Sequence, residues 1–170
     1  MSDGAHLIRL VDGAARITRD DWRIVESATQ WDGSAGALLP LELVVAQTQR
    51  VRASGRAGIW LGPTDDPGCT AEFFSWIGLI AVQFPKFTDG RGYSSAVLLR
   101  NRYGWRGELR AIGEVLPDQL FALRRVGFDS FALRADRDPV AALGAFDPFS
   151  NVYQGSVDQP LPLFRRVSSC

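Results

Sequence analysis

Histidine and cysteine are nearly absent: the 170 residues hold one histidine, His6, and two cysteines, Cys69 and Cys170. Zinc and iron–sulfur sites need several such ligands, so one chain cannot assemble them, and the sequence predicts neither a metal site nor a redox cofactor. Ser–His–Asp and Cys–His catalysis both place a histidine beside the nucleophile. His6 falls in a predicted surface strand near the terminus and reads as a solvated side chain. Cys69 follows the Pro67-Gly68 turn and Cys170 is terminal; with no evident cationic neighbour, both read as plain thiols. Lysine is as scarce, with Lys86 alone among 19 basic residues.

Long apolar runs are missing too. Stretches such as Leu79 to Val82 fall far short of the roughly 20 residues of a membrane span, so no membrane association is expected. The opening Met1-Ser2-Asp3-Gly4 is polar and small, unlike a secretory leader, which suggests a cytoplasmic protein. Charge of one sign is also lacking, since 19 basic side chains meet 19 acidic ones. That balance argues against nucleic acid as a partner, because phosphate neutralisation dominates such binding.

What remains, 46% hydrophobic and 22% charged, suits one globular α/β domain with an N-terminal extension. Over residues 1–55, His6 to Leu10 and Ala15 to Thr18 flank Asp12-Gly13 as a hairpin, and Leu38 to Arg52 has helical spacing up to Gly55. Residues 56–155 then repeat strand, turn and helix. The predicted strands are Ala57 to Leu61, Leu79 to Phe84, Glu108 to Gly113 and Phe128 to Leu133. The helices are Thr70 to Ile77, Tyr93 to Tyr103, Pro117 to Val126 and Pro139 to Phe146. Residues 156–170 read as an irregular tail. Four successive βα units predict a parallel sheet, resembling half of a (β/α)8 barrel, with ligands at the carboxyl ends of the strands. Its inner apolar face would need cover from a second chain, as a homodimer, or from the N-terminal segment.

One loop could carry chemistry. Lys86, Asp89, Gly90, Arg91, Gly92, Tyr93 and Ser94 leave a strand end and enter a helix, where free amides and two cations would suit an anion. Glu108 and Arg110, two apart, share one face of the next strand. The sequence predicts either a polar pocket to which Arg110 reaches up, or a salt-bridged network with Asp89 or Arg91. Alternatively Asp89 caps the helix and the glycines merely allow the turn. Acid–base work, without histidine, would fall to Glu108, Asp89 or Glu114. A dinucleotide fingerprint on Gly90, Gly92 and Glu114 is disfavoured, because Pro85 to Asp89 separate the first glycine from the strand.

The blocks Phe84-Pro85-x-Phe87-x-Asp89-Gly90-Arg91-Gly92-Tyr93-Ser94, with Ala96 and Leu98-Leu99-Arg100, and Gly107-Glu108-Leu109-Arg110-Ala111-x-Gly113 are distinctive. With Asp118-Gln119, Gly127-Phe128-Asp129-x-Phe131 and Tyr153-Gln154, the chain from about Gly58 to Gln154 resembles the bacterial domain-of-unknown-function family 934. Members are typically encoded beside assimilatory sulfite reductase and carry the label of an oxidoreductase. The resemblance implies an auxiliary protein of sulfite reduction within sulfate assimilation, acting by binding a protein partner or a small oxyanion. That partner would be sulfite reductase or another sulfate-assimilation protein. Trp22, Trp31, Trp60, Trp76 and Trp105 are candidate contact residues. The competing expectations are a small α/β enzyme using Asp89, Arg91, Glu108 and Arg110, and a nucleotide-binding oxidoreductase. Convergence of those four side chains on an open pocket would favour the enzyme or an anion binder; mutual pairing together with burial would favour a scaffold that docks a partner.

Overall fold

Asp12 and Gly13 take positive φ values of 52° and 80°, the backbone of a two-residue hairpin turn that matches the twist of its strands. They join His6–Val11 (β1) to Ala14–Arg19 (β2) in antiparallel register, Val11 opposite Ala14. The structure is a computed structural model and describes residues 6–146 and 153–166. Cys170, the side chain of His6 and residues 147–152 of the expected repeat lie outside that description.

Six further strands follow: Arg23–Ile24 (β3), Ala37–Pro40 (β4), Ala57–Leu61 (β5), Leu79–Phe84 (β6), Glu108–Gly113 (β7) and Ser130–Ala132 (β8). They pair parallel in chain order from β3 to β8. The antiparallel β1 then adds to β8. The purely parallel sheet of four units is therefore corrected: the sheet has eight strands, is mixed, and runs β2-β1-β8-β7-β6-β5-β4-β3. The first 55 residues hold the expected hairpin, β1 and β2, and supply four of these strands.

Helices connect the parallel strands. Leu41–Ala46 (α1) and Thr48–Ala53 (α2) follow β4, Arg91–Val97 (α3) follows β6, Leu120–Arg125 (α4) follows β7, and Pro139–Ala142 (α5) follows β8. A 3-10 helix, Pro67–Phe73, links β5 to β6. The expected helix Leu38 to Arg52 begins instead with β4, because Ala37, Leu38 and Leu39 are buried between strands β3 and β5. No described helix is long and apolar enough to cross a membrane.

The order of strands forces the sheet to curl into a half-barrel. Laid flat, seven spacings of about 4.8 Å would put β2 and β3 about 34 Å apart. Only Asp20, Asp21 and Trp22 separate the two strands, and such a link spans at most about 14 Å. The two edges are therefore drawn together and the link forms a strap over the concave face.

Alternation along the strands divides the core. Ile80, Val82, Leu109 and Ala111 face the helices with Leu43, Val44, Leu99, Leu120 and Leu123. Leu38, Leu79, Ala81 and Ile112 face inward, where Trp22 of the strap and Trp60 pack on them. The Trp60 indole N–H donates to the Val25 carbonyl at 2.9 Å. Of the two covers expected for the inner face, a second chain or the N-terminal segment, the second is present in Trp22 of the strap. The tryptophans expected as contact residues are partly or fully buried, and the exposed aromatic beside the candidate loop is Phe87, 59% exposed.

Candidate binding site

The β6–α3 loop is a helix-entry turn built on one ion pair. Asp89 accepts from the Arg91 backbone N–H at 3.1 Å and from its guanidinium at 3.0 Å (Nε) and 2.6 Å (Nη2). These hydrogen bonds hold the Asp89 carboxyl at about 2, below the ordinary carboxylate range, and raise Arg91. Lys86 and Ser94 are exposed. Gly90 has open space where a Cβ would sit, whereas a Cβ on Gly92 would lie 2.5 Å from the Phe84 ring. Gly92 is required for close packing on β6. Tyr93 stacks edge-on to Phe84, with centroids 5.5 Å apart.

Glu108 and Arg110 do not join this loop. Arg110, 1% exposed, projects to the inner face, and its register partner on β6 is Ala81. Its Nη1 donates to both carboxylate oxygens of Asp20 at 2.8 and 2.9 Å, and its Nη2 to Glu108 at 2.7 Å. Glu108 also accepts from Ser130 Oγ at 2.7 Å and pairs with Arg9 at 3.3 Å. The expectation that Arg110 reaches up to the loop, or that Asp89 or Arg91 completes its network, is corrected: the partners are Asp20, Arg9 and Ser130. Only the shared face of Glu108 and Arg110 was a signal; nothing local marks Asp20.

A second arginine network was missed. After α3, Leu98–Arg102 forms a π-helical turn, closed by the Tyr103 N–H donating to the Leu98 carbonyl. It carries Arg100, which donates to the carbonyls of Gly127, Trp105 and Gly107 and to Asp129, each at 2.9 Å. Burial pushes Asp129 up and Arg100 down, against their mutual attraction. Glu114 is paired as well, with Arg134 at 3.0 Å.

Among the sequence candidates, Tyr93 lines a cavity. About 460 Å³ of space lies between α3, α4 and residues 153–156, walled by Tyr93, Phe121, Val126 and Tyr153. Its walls come from the helices and residues 153–156, with no strand residue among them. Burial raises the Tyr93 phenol, and nearby Asp118 adds to the effect. Arg125, 9% exposed, also lines the cavity, and its Nη2 donates to the Gln154 carbonyl. The Arg125 carbonyl accepts from Ser156 Oγ at 2.7 Å, which fastens residues 153–156 to α4. Among the described residues no cluster of His, Cys, Asp or Glu could hold a metal ion.

No curated protein and no solved structure matches the chain. A family described as "Bacterial protein of unknown function (DUF934)" matches residues 58–164, from the second residue of β5 into the tail. With more than half of its length so matched, the chain belongs to that bacterial family.

Proposed function

We propose that this chain is a cytoplasmic auxiliary protein of assimilatory sulfite reduction that works by docking a protein partner, sulfite reductase being the first to test. The supporting observation is the pairing of the four candidate catalytic charges. Asp89 is bound to Arg91 and Glu108 to Arg110, the two pairs lie apart, and Arg110 is buried. Groups so engaged hold loops and strands together instead of awaiting a substrate. The sulfite-reduction context comes from the family resemblance alone.

Phe87, standing exposed beside Lys86 on the β6–α3 loop, is the aromatic anchor in this reading. Buried interface aromatics contribute about 2 kcal/mol or more, so Phe87→Ala should weaken the complex by roughly thirtyfold. Co-purification from a native host, followed by calorimetry of the isolated pair, tests it. Sulfite turnover by the chain alone, or no association with the reductase at micromolar concentration, refutes the proposal.

A further inference from the structure

We infer that the cavity between α3, α4 and residues 153–156 binds a small organic anion, a flat apolar body bearing one carboxylate or sulfonate, with its charge on Arg125. The inference goes beyond partner docking and does not depend on it.

Arg125 differs from the other buried arginines. Arg110 is neutralised by Asp20 and Glu108, and Arg100 by Asp129. Arg125 is nine-tenths buried, and no carboxylate among the described residues pairs with it. Among the described residues its Nη1, shut off from solvent, has no hydrogen-bond partner, while Nη2 donates to the Gln154 carbonyl. A guanidinium without a counter-ion in such a place is costly, and an anion that reaches it forms a charge-assisted, forked contact.

The rest of the cavity fits the body of such a molecule. Tyr93, Phe121, Val126 and Tyr153 give it apolar walls, and 460 Å³ lies within the range of small-molecule sites. The Phe121 ring lies 5.9 Å from the Arg125 guanidinium carbon, which supports the cation from one side. Access to Nη1 takes a rotation of the guanidinium away from Gln154, a side-chain change of the kind common on binding.

Two probes differing in charge test this: 1-anilinonaphthalene-8-sulfonate and its uncharged analogue N-phenyl-1-naphthylamine, both titrated by fluorescence on the intact chain. The wild type should bind one sulfonate per chain, about tenfold or more tighter than the neutral amine, as one charge-assisted contact provides. Arg125→Met should abolish that preference and leave the neutral amine unchanged. Ala122→Trp, introduced from an exposed position on the rim, should remove both while Arg125 stays in place. If Arg125→Met does not fold by circular dichroism, the wild-type preference and Ala122→Trp decide the matter. Equal affinity for the two probes in the wild type, a preference that survives Arg125→Met, or binding that survives Ala122→Trp overturns the inference. No reductase enters the experiment, so its failure leaves partner docking unaffected.

Discussion

The Arg110 guanidinium is gripped by Asp20, ninety positions earlier in the chain, through two hydrogen bonds from one nitrogen. One residue lies in the middle of β7 and the other opens the strap between β2 and β3. The pair therefore pins the strap to the concave face. Removing the cation leaves Asp20 and Glu108 without their shared partner in a largely buried place. Arg110→Ala should cost about 3–5 kcal/mol of stability. Urea denaturation measures it, and a loss below about 1 kcal/mol would show that the strap is secured otherwise.

Arg100 should resist even conservative replacement. It satisfies three backbone carbonyls and one carboxylate at once, a fan of donors that a lysine ammonium cannot reproduce. Arg100→Lys should lose about 2 kcal/mol or more, and Arg100→Ala more still. The deficit should also depend on pH. The native Asp129 carboxyl already lies above its ordinary value through burial, and Arg100 restrains that rise. Without Arg100 it rises further, and a raised carboxyl favours the native state as pH falls through it. The gap between Arg100→Ala and wild type should narrow from pH 7 to pH 4.5; a constant gap would mean that the lost carbonyl contacts explain it all.

Asp89 should titrate at about 2 because of Arg91. A carboxyl depressed in the folded state contributes stability above its unfolded value near 3.8, and that contribution disappears as pH falls from about 4 to about 2. In Arg91→Ala the carboxyl should return toward the ordinary value. Carbon-detected NMR titration of Asp89 reads this directly, and an unchanged midpoint would assign the depression to another donor.

The loop glycines should separate under substitution. Gly90→Ala has open space and should stay within about 0.5 kcal/mol of wild type. Gly92→Ala must displace the Phe84 ring and should cost about 1–3 kcal/mol. Gly113→Ala should be worse, since its Cβ would sit 2.5 Å from the rigid Phe84 carbonyl oxygen and its φ is +93°. Thermal melts of the three variants give the ranking, and parity between Gly90→Ala and Gly92→Ala would contradict the packing role.

The sequence was most readable where burial and punctuation agreed. The strands Ala57–Leu61, Leu79–Phe84 and Glu108–Gly113 are short apolar runs between turn signals, and their bounds follow from pattern alone. Ala37–Pro40 was hidden because leucines stand on both sides of Pro40, and in so few residues a buried strand and a buried helical turn look alike; Pro40 itself is the boundary between them. Arg23–Ile24 has two residues and no period at all. At the site, pairing between neighbours was within reach, as with Asp89 and Arg91 or Glu108 and Arg110. Pairing across the fold was not: Asp20 with Arg110, and the meeting of Tyr93, Arg125 and Tyr153 around one cavity, depend on the curl of the sheet. A half-barrel was within reach from the four βα units, but which residues its curl brings together depends on the order of all eight strands, which composition and spacing do not encode.

The seam between β1 and β8, where Leu7 lies opposite Ala132, also sets a schedule for synthesis. The hairpin emerges from the ribosome more than a hundred residues before β8, the strand it joins. Until then β1 presents an unpaired edge beside an incomplete sheet, the kind of surface that invites association between nascent chains. Contacts of such sequence separation also slow folding, because a long loop must close before they can form. The sheet is joined up only when Leu7 meets Ala132, 125 positions further along.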